Sequence, residues 1–275
     1  MPSSAFSYRL SVIGFGIRYP SPMKQPSPPP PRPNPWFLMP RPQPQATLRI
    51  FGFPHAGGGS LLFRPWLAQT PSHVEWCLAA LPGREQRLNE PPLAQMGPLL
   101  EGLALAIAPL LDRPAIFLGH SMGAFIAFEL IRKLMARGWA GPQLLAVSGQ
   151  RAPHLPDPKP PFYHLPDAEF VAAIQRTYQS IPQELLADRA LLQIFLPAMR
   201  ADFTLIDTYR YQPGPPLPLP IVAFGGTDDA LVPAANLAAW AQHTRSSFRQ
   251  HLFAGGHFFL HGVRQEMLTC MLRGE

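Results

Sequence analysis

The first 46 positions contain no acidic residue, cysteine occurs twice in 275 residues, and no apolar run reaches bilayer-spanning length. Each shortage excludes something. Two thiols, Cys77 and Cys270, allow no disulfide framework, and free thiols suit a reducing cytoplasm. The apolar patch from Leu10 to Ile17 follows Arg9 but has no small-residue cleavage site after it, which argues against a secretory signal. Charged residues make up only 15% of the chain and hydrophobic ones 47%, the balance of a globular body with one large core or two modest ones.

The formal charge of +6 is unevenly placed. Of 23 basic and 17 acidic residues, five basic ones (Arg9, Arg18, Lys24, Arg32 and Arg41) lie in 1–46, leaving 18 against 17 elsewhere. The body is nearly neutral and has no basic stripe of the kind a phosphate backbone requires, so nucleic acid is not an expected partner. The same 46 residues hold 13 prolines, among them Pro28 to Pro31, and can form neither a helix nor a central strand. They read as an extended, disordered extension, with Met23 and Met39 as alternative starts and a polyproline ligand for a partner domain as one use. The folded domain is expected over 47–275.

What is present is organised around Gly119-His120-Ser121-Met122-Gly123. The apolar run 115–118 enters it as a buried strand, and the apolar-periodic segment Ala124 to Met135 leaves it as a helix stopped by Gly138. A strand, a sharp turn and a helix around Gly-x-Ser-x-Gly project the serine hydroxyl from the top of a sheet. Further strands are expected at 48–53, 74–80, 143–148, 221–224 and 248–253, with helices beginning at Phe63 and spanning Leu93 to Leu111, Ala234 to His243 and Phe259 to Leu272. The alternation predicts a mostly parallel sheet flanked by helices, with its site where the strands end. From about 153 to 215 the alternation is interrupted by a segment rich in Phe, Leu, Tyr and Met. Helices are expected there at 167–179, from Glu184 toward Met199, and at 201–209, as a lid over the active edge.

A serine hydroxyl needs a base, and an imidazole base needs a carboxylate to hold its tautomer. Ser121, Asp229 and His257 occur in the nucleophile, acid, base order of this kind of sheet. Gly255 and Gly256 set His257 in a loop at a strand exit, with His261 as its rival. His120, beside the serine, is read as packing under the turn. Asp229 is favoured over Asp228, which suits a turn cap, and over Asp157, the nearest carboxylate after the 143–148 strand. The amides of Met122 and Ala56 are the expected oxyanion donors. His55 is read either as lining the pocket or as shaping its loop. Nothing implies a metal or cofactor.

The chain resembles the type II thioesterases of the alpha/beta-hydrolase fold, free-standing editing enzymes of polyketide and nonribosomal peptide assembly lines. The resemblance rests on Phe53-Pro54-His55-Ala56-Gly57-Gly58, Pro82-Gly83-Arg84-Glu85, Gly119 to Gly123, Arg200-Ala201-Asp202-Phe203, Gly226-Thr227-Asp228-Asp229 and Gly255-Gly256-His257-Phe258-Phe259. It implies Ser121, Asp229 and His257 as the triad and, as substrate, an acyl group on the phosphopantetheine arm of an acyl or peptidyl carrier protein. The proline-rich head departs from the family, whose members begin near the segment matching Trp36-Phe37. A carboxylesterase or lipase-like enzyme, an acyltransferase and a non-enzymatic protein acting through its tail are the alternatives. Nothing requires more than a monomer or a membrane.

Overall fold

The computed structural model describes residues 34–273. Seven strands form one sheet: β1 (Phe37–Leu38), β2 (Leu48–Phe53), β3 (Val74–Ala79), β4 (Ala115–His120), β5 (Leu144–Ser148), β6 (Ile221–Gly226) and β7 (Phe248–Phe253). Their order is β1-β3-β2-β4-β5-β6-β7, antiparallel only at β1–β3. The helices are α1 (Met96–Ile107), α2 (Met122–Ala136), α3 (Asp167–Tyr178), α4 (Gln183–Ala187), α5 (Arg189–Thr208), α6 (Ala234–Ala238) and α7 (Arg264–Arg273).

Both faces of the sheet are covered, which is why its strands read as continuous apolar runs rather than alternating ones. Alternate residues still diverge. Phe51, Phe53, Cys77, Phe117, Leu145 and Val147 pack against α1 and α2. Ile50, Trp76, Leu78, Ile116, Leu118 and Val222 point the other way, onto Phe63, Trp66 and α7. Burying a side chain of this size contributes roughly 1.5–3 kcal/mol, so these two layers are the main source of stability.

The chain builds β2 and β3 outward on one side, then returns to place β4 on the other side of β2. Loops leaving β2 and β4 therefore part at a topological switch point, where such sheets open a crevice. Phe53 pairs with Gly119 and His120 with Ser148, so the loop after β2, the Ser121 turn and the end of β5 lie side by side.

The segment between β5 and β6 holds α3, α4 and α5 around a core of its own, made by Phe162, Phe170, Ile174, Ile181, Leu196, Met199 and Phe203. The sequence suggested a break near Arg200. Instead α5 runs unbroken through Pro197 to Thr208, because Leu196, Met199 and Phe203 recur on the face that core buries. Asp188 caps the helix by accepting from the Leu191 amide at 2.9 Å.

Other boundaries shift for local reasons. The extension drawn at 1–46 ends earlier: β1 pairs with β3, and Asn34 Nδ2 donates to the Ala106 carbonyl at 2.6 Å, so 34–46 joins the folded body. Prolines 35 and 40, which flank β1, hid a two-residue edge strand. Residues 1–33 of that expectation lie outside the described residues. Ser60–Gln69 is a 3-10 segment rather than an α-helix, consistent with Pro65 lacking an amide donor inside it. The terminal helix starts at Arg264, after a 3-10 turn at Phe259–His261. Cys77 and Cys270 form no disulfide. Among the described residues, no helix is long and apolar enough to cross a membrane.

Candidate active site

The turn after β4 is tightly constrained. Ser121 sits at φ +53° and ψ −119°, a backbone state that non-glycine residues rarely adopt. Its amide donates to the Ser148 carbonyl at 2.8 Å, which anchors the turn to β5. A Cβ on Gly119 would lie 2.1 Å from the Gly123 carbonyl oxygen, and one on Gly123 would lie 2.0 Å from that of Phe53. Only glycine at both positions lets strand, turn and helix pass this closely.

His257, in the loop after β7, directs Nδ1 at Asp229 Oδ2, 2.8 Å away. The other carboxylate oxygen accepts from the Leu231 amide at 3.0 Å. Asp229 is buried, and these two bonds hold its carboxylate in one orientation. With a carboxylate accepting, Nδ1 is the donor, and Nε2 is the ring nitrogen left for the serine. Nε2 is buried and makes no hydrogen bond among the described residues. His257 and Ser121 together border two adjoining cavities. The first is completed by His55, Ala56, Tyr178, Ser180, Phe203, Ile206 and Phe258, and its volume of about 10 Å³ is room for roughly one water. The second runs toward Arg151, Asp157 and Lys159.

The competing residues have other partners. Asp228 is exposed and accepts from the Thr227 hydroxyl at 3.2 Å. Asp157 belongs to its own loop, accepting from the Lys159 amide at 3.1 Å and facing Arg151 and Lys159 at 3.5 Å. His261 is exposed and stacks on Phe258. His120 lies under the turn as expected, fully buried, with Nδ1 3.0 Å from Ser148 Oγ; burial first, then nearby imidazoles, holds it neutral far below its ordinary pKa.

Met122 is the first residue of α2, where first-turn amides have no partner within the helix. Ala56 follows β2 and lines the first cavity. His55 does line that cavity, edge-on to Phe258, with its pKa lowered to about 3 by burial and then by neighbouring His257, His261 and Arg84. It is therefore a neutral wall at physiological pH. Among the described residues no group of His, Cys, Asp and Glu could hold a metal ion.

Two features escaped the sequence reading. Tyr178, at the end of α3, borders both cavities with its ring 5.3 Å from that of His257. Arg84, after β3, and Asp202, on α5, form a buried two-pronged ion pair at 2.6 and 2.8 Å. Burial opposes the Arg84 charge, but Asp202 outweighs it and leaves the guanidinium pKa above its usual value. Both residues stood in stretches that carried the resemblance, yet no local pattern gave them a role.

A mostly parallel sheet, a strained serine at the first turn of a helix and an imidazole–carboxylate pair at the same edge define an alpha/beta-hydrolase. The family model described as the thioesterase domain matches residues 48–272, and the chain belongs to that family: it is a thioesterase. It is 40% identical over 228 residues to the gramicidin S biosynthesis protein GrsT of Aneurinibacillus migulanus, covering 83% of this chain and 89% of that one. It is also 40% identical over 230 residues to a protein of Brevibacillus parabrevis named linear gramicidin dehydrogenase LgrE, covering 82% and 87%. The dehydrogenase in that name is said of that protein. The solved structure of the type II thioesterase BorB from the borrelidin biosynthetic cluster superposes with a TM-score of 0.79 at 34% identity, over 86% of this chain and 96% of that one.

Proposed function

We propose that this thioesterase strips acyl groups from the phosphopantetheine arm of carrier proteins in polyketide or nonribosomal peptide synthesis, with Ser121 as nucleophile, His257 as base and Asp229 as its orienting acid. The observation that carries the reading is the 2.8 Å contact of His257 Nδ1 with the buried Asp229, which leaves Nε2 available beside the cavity that Ser121 lines. Relatives named for such pathways, BorB among them, support the substrate class.

Ser121 Oγ attacks the thioester carbonyl as Nε2 takes its proton, and the amides of Met122 and Ala56 receive the oxyanion. Collapse expels the pantetheine thiol, which with an ordinary pKa of about 8.5 needs little help to leave. His257 then activates water to release the free acid and restore Ser121. Asp229 accepts from Nδ1, orienting the ring and stabilising the imidazolium when it forms.

The segment from 153 to 215 serves as a lid that opens for the acyl group, a role supported by the small volume, about 10 Å³, of the first cavity beside Ser121. Tyr178, Phe203 and Ile206, all between 153 and 215, form the part that moves. The enzyme acts as a monomer in the cytoplasm, where carrier proteins work, and requires neither cofactor nor metal.

Mass measurement of carrier proteins loaded with a panel of acyl groups tests the reading. Wild type is expected to unload them and Ser121→Ala to leave them loaded. Faster turnover of matched oxygen esters than of acyl-pantetheine thioesters would replace this substrate class with a carboxylesterase one.

A further inference from the structure

The loop that carries the Ala56 amide contains Gly57, Gly58 and Gly59, and three glycines in a row leave a backbone with little intrinsic stiffness. An oxyanion donor is effective only when it is held in place before charge develops. Something outside the loop must therefore hold it.

The ion pair between Arg84 and Asp202 is in position to do so. Asp202 Oδ2, besides meeting Arg84 Nη1 at 2.6 Å, accepts from the Gly57 amide at 2.7 Å. That amide belongs to the peptide unit joining Ala56 to Gly57. The same Arg84 nitrogen donates to the Gly58 carbonyl at 2.9 Å. The neighbour of Arg84 continues the grip: Glu85, itself at φ +50°, accepts from the Ser60 hydroxyl at 2.9 Å and fills the space that a Cβ on Gly59 would need. Arg84 and Asp202 are 5% and 2% exposed, so little water competes for these bonds. An ion pair buried this deeply is a poor investment for stability alone. Phe203 and Ile206, on the same helix as Asp202, wall the cavity.

We propose that Arg84 and Asp202 are positioning residues for the reaction: their ion pair clamps the glycine loop to α5 and thereby aims the Ala56 amide at the oxyanion. This rests on the reading of Ser121 and Ala56 given above. Neither residue touches the reacting atoms, so the clamp acts on turnover rather than on substrate affinity.

Three variants of the full chain test it: Asp202→Asn, which keeps the shape but loses the charge, Arg84→Lys, which keeps the charge but loses the fork, and Arg84→Gln. Turnover of acetyl- and octanoyl-pantetheine is expected to fall about 10- to 100-fold in each, short of the roughly 100- to 1000-fold cost of deleting an oxyanion donor. KM should stay within about twofold and the loss should be equal for both acyl lengths, since what is lost is used only in the transition state. Binding of an alkyl boronic acid, which becomes tetrahedral on the serine, should weaken in parallel. Unchanged kcat, a loss confined to KM, a loss that differs between the acyl lengths, or a loss that follows the folded fraction in thermal unfolding would overturn the clamp. Should Asp202→Asn fail to fold, Arg84→Lys decides, because it leaves the Asp202 charge compensated. Amide exchange at Gly57 and Gly58 reads the clamp without catalysis: faster exchange in the variants supports it, and unchanged exchange refutes it even if wild type proves inactive on thioesters.

Discussion

Asp228 and Asp229 are adjacent in the chain and opposite in environment: one is exposed beside Thr227, and the other is buried with its carboxylate divided between His257 Nδ1 at 2.8 Å and the Leu231 amide at 3.0 Å. The two can therefore be separated by experiment. Asp229→Asn is expected to lower kcat by about 10³- to 10⁴-fold by disturbing the imidazole tautomer. Asp228→Asn should stay within about twofold, and steady-state thioester hydrolysis checks both.

The Ser121 turn should tolerate no side chain at its glycines. Gly123→Ala places a methyl group 2.0 Å from the Phe53 carbonyl oxygen, a backbone contact that no rotamer can relieve. We expect destabilisation beyond about 4 kcal/mol, read as a collapsed urea midpoint or loss of soluble protein.

Acid should unfold the protein through histidines that are held neutral. Burial, then His154 and Arg132, lowers His243 to about 4 from 6.5, and burial lowers His55 to about 3. Between those values and 6.5 the unfolded chain binds more protons than the folded one, so stability is complete above about pH 6.5 and declines as pH falls through this window. His243, only 5% exposed, accounts for about 2 kcal/mol lost by pH 5. Urea unfolding at pH 7 and pH 5 should show the drop, and His243→Gln should shrink it.

Phe203 links the core of the segment between β5 and β6 to the cavity, packing on Phe162 at 5.1 Å and Tyr178 at 5.6 Å between ring centroids. Phe203→Leu should widen the acyl site and raise kcat/KM for long acyl-pantetheines relative to short ones. A cost of about 1–2 kcal/mol in stability is expected from the altered packing. A chain-length series with parallel thermal melts measures both effects.

The β2–β3 pairing holds a second buried charge. Arg49 Nε donates to Glu75 Oε2 at 2.8 Å, with both side chains over 90% buried. Glu75→Gln leaves that guanidinium with less compensation, and about 3 kcal/mol should be lost without change in KM.

The strand and helix alternation, the serine turn and the place of His257 in a loop after β7 were readable because each is encoded locally. Apolar runs mark strands covered on both faces, and glycine pairs mark where the backbone must turn sharply or approach another chain segment. The contact of Asp229 with His257 was expected less directly, from the spacing of Asp229 to Val232-Pro233 after a strand. The edge strand at Phe37–Leu38 was not, because its flanking prolines dominate the composition and only its partner β3 orders it.

By itself the sequence determined the sheet, its covered faces and which side chains gather at the strand ends, since periodicity and glycine placement act within a few residues. Tertiary structure alone decided what surrounds them. Tyr178 meets His257 only because α3 closes over the sheet, and Arg84 meets Asp202 across 118 residues of chain, a distance over which no pattern in the sequence pairs one charge with another. Which buried charges meet is settled by how the segments pack, and here that packing holds the glycine loop beside the serine.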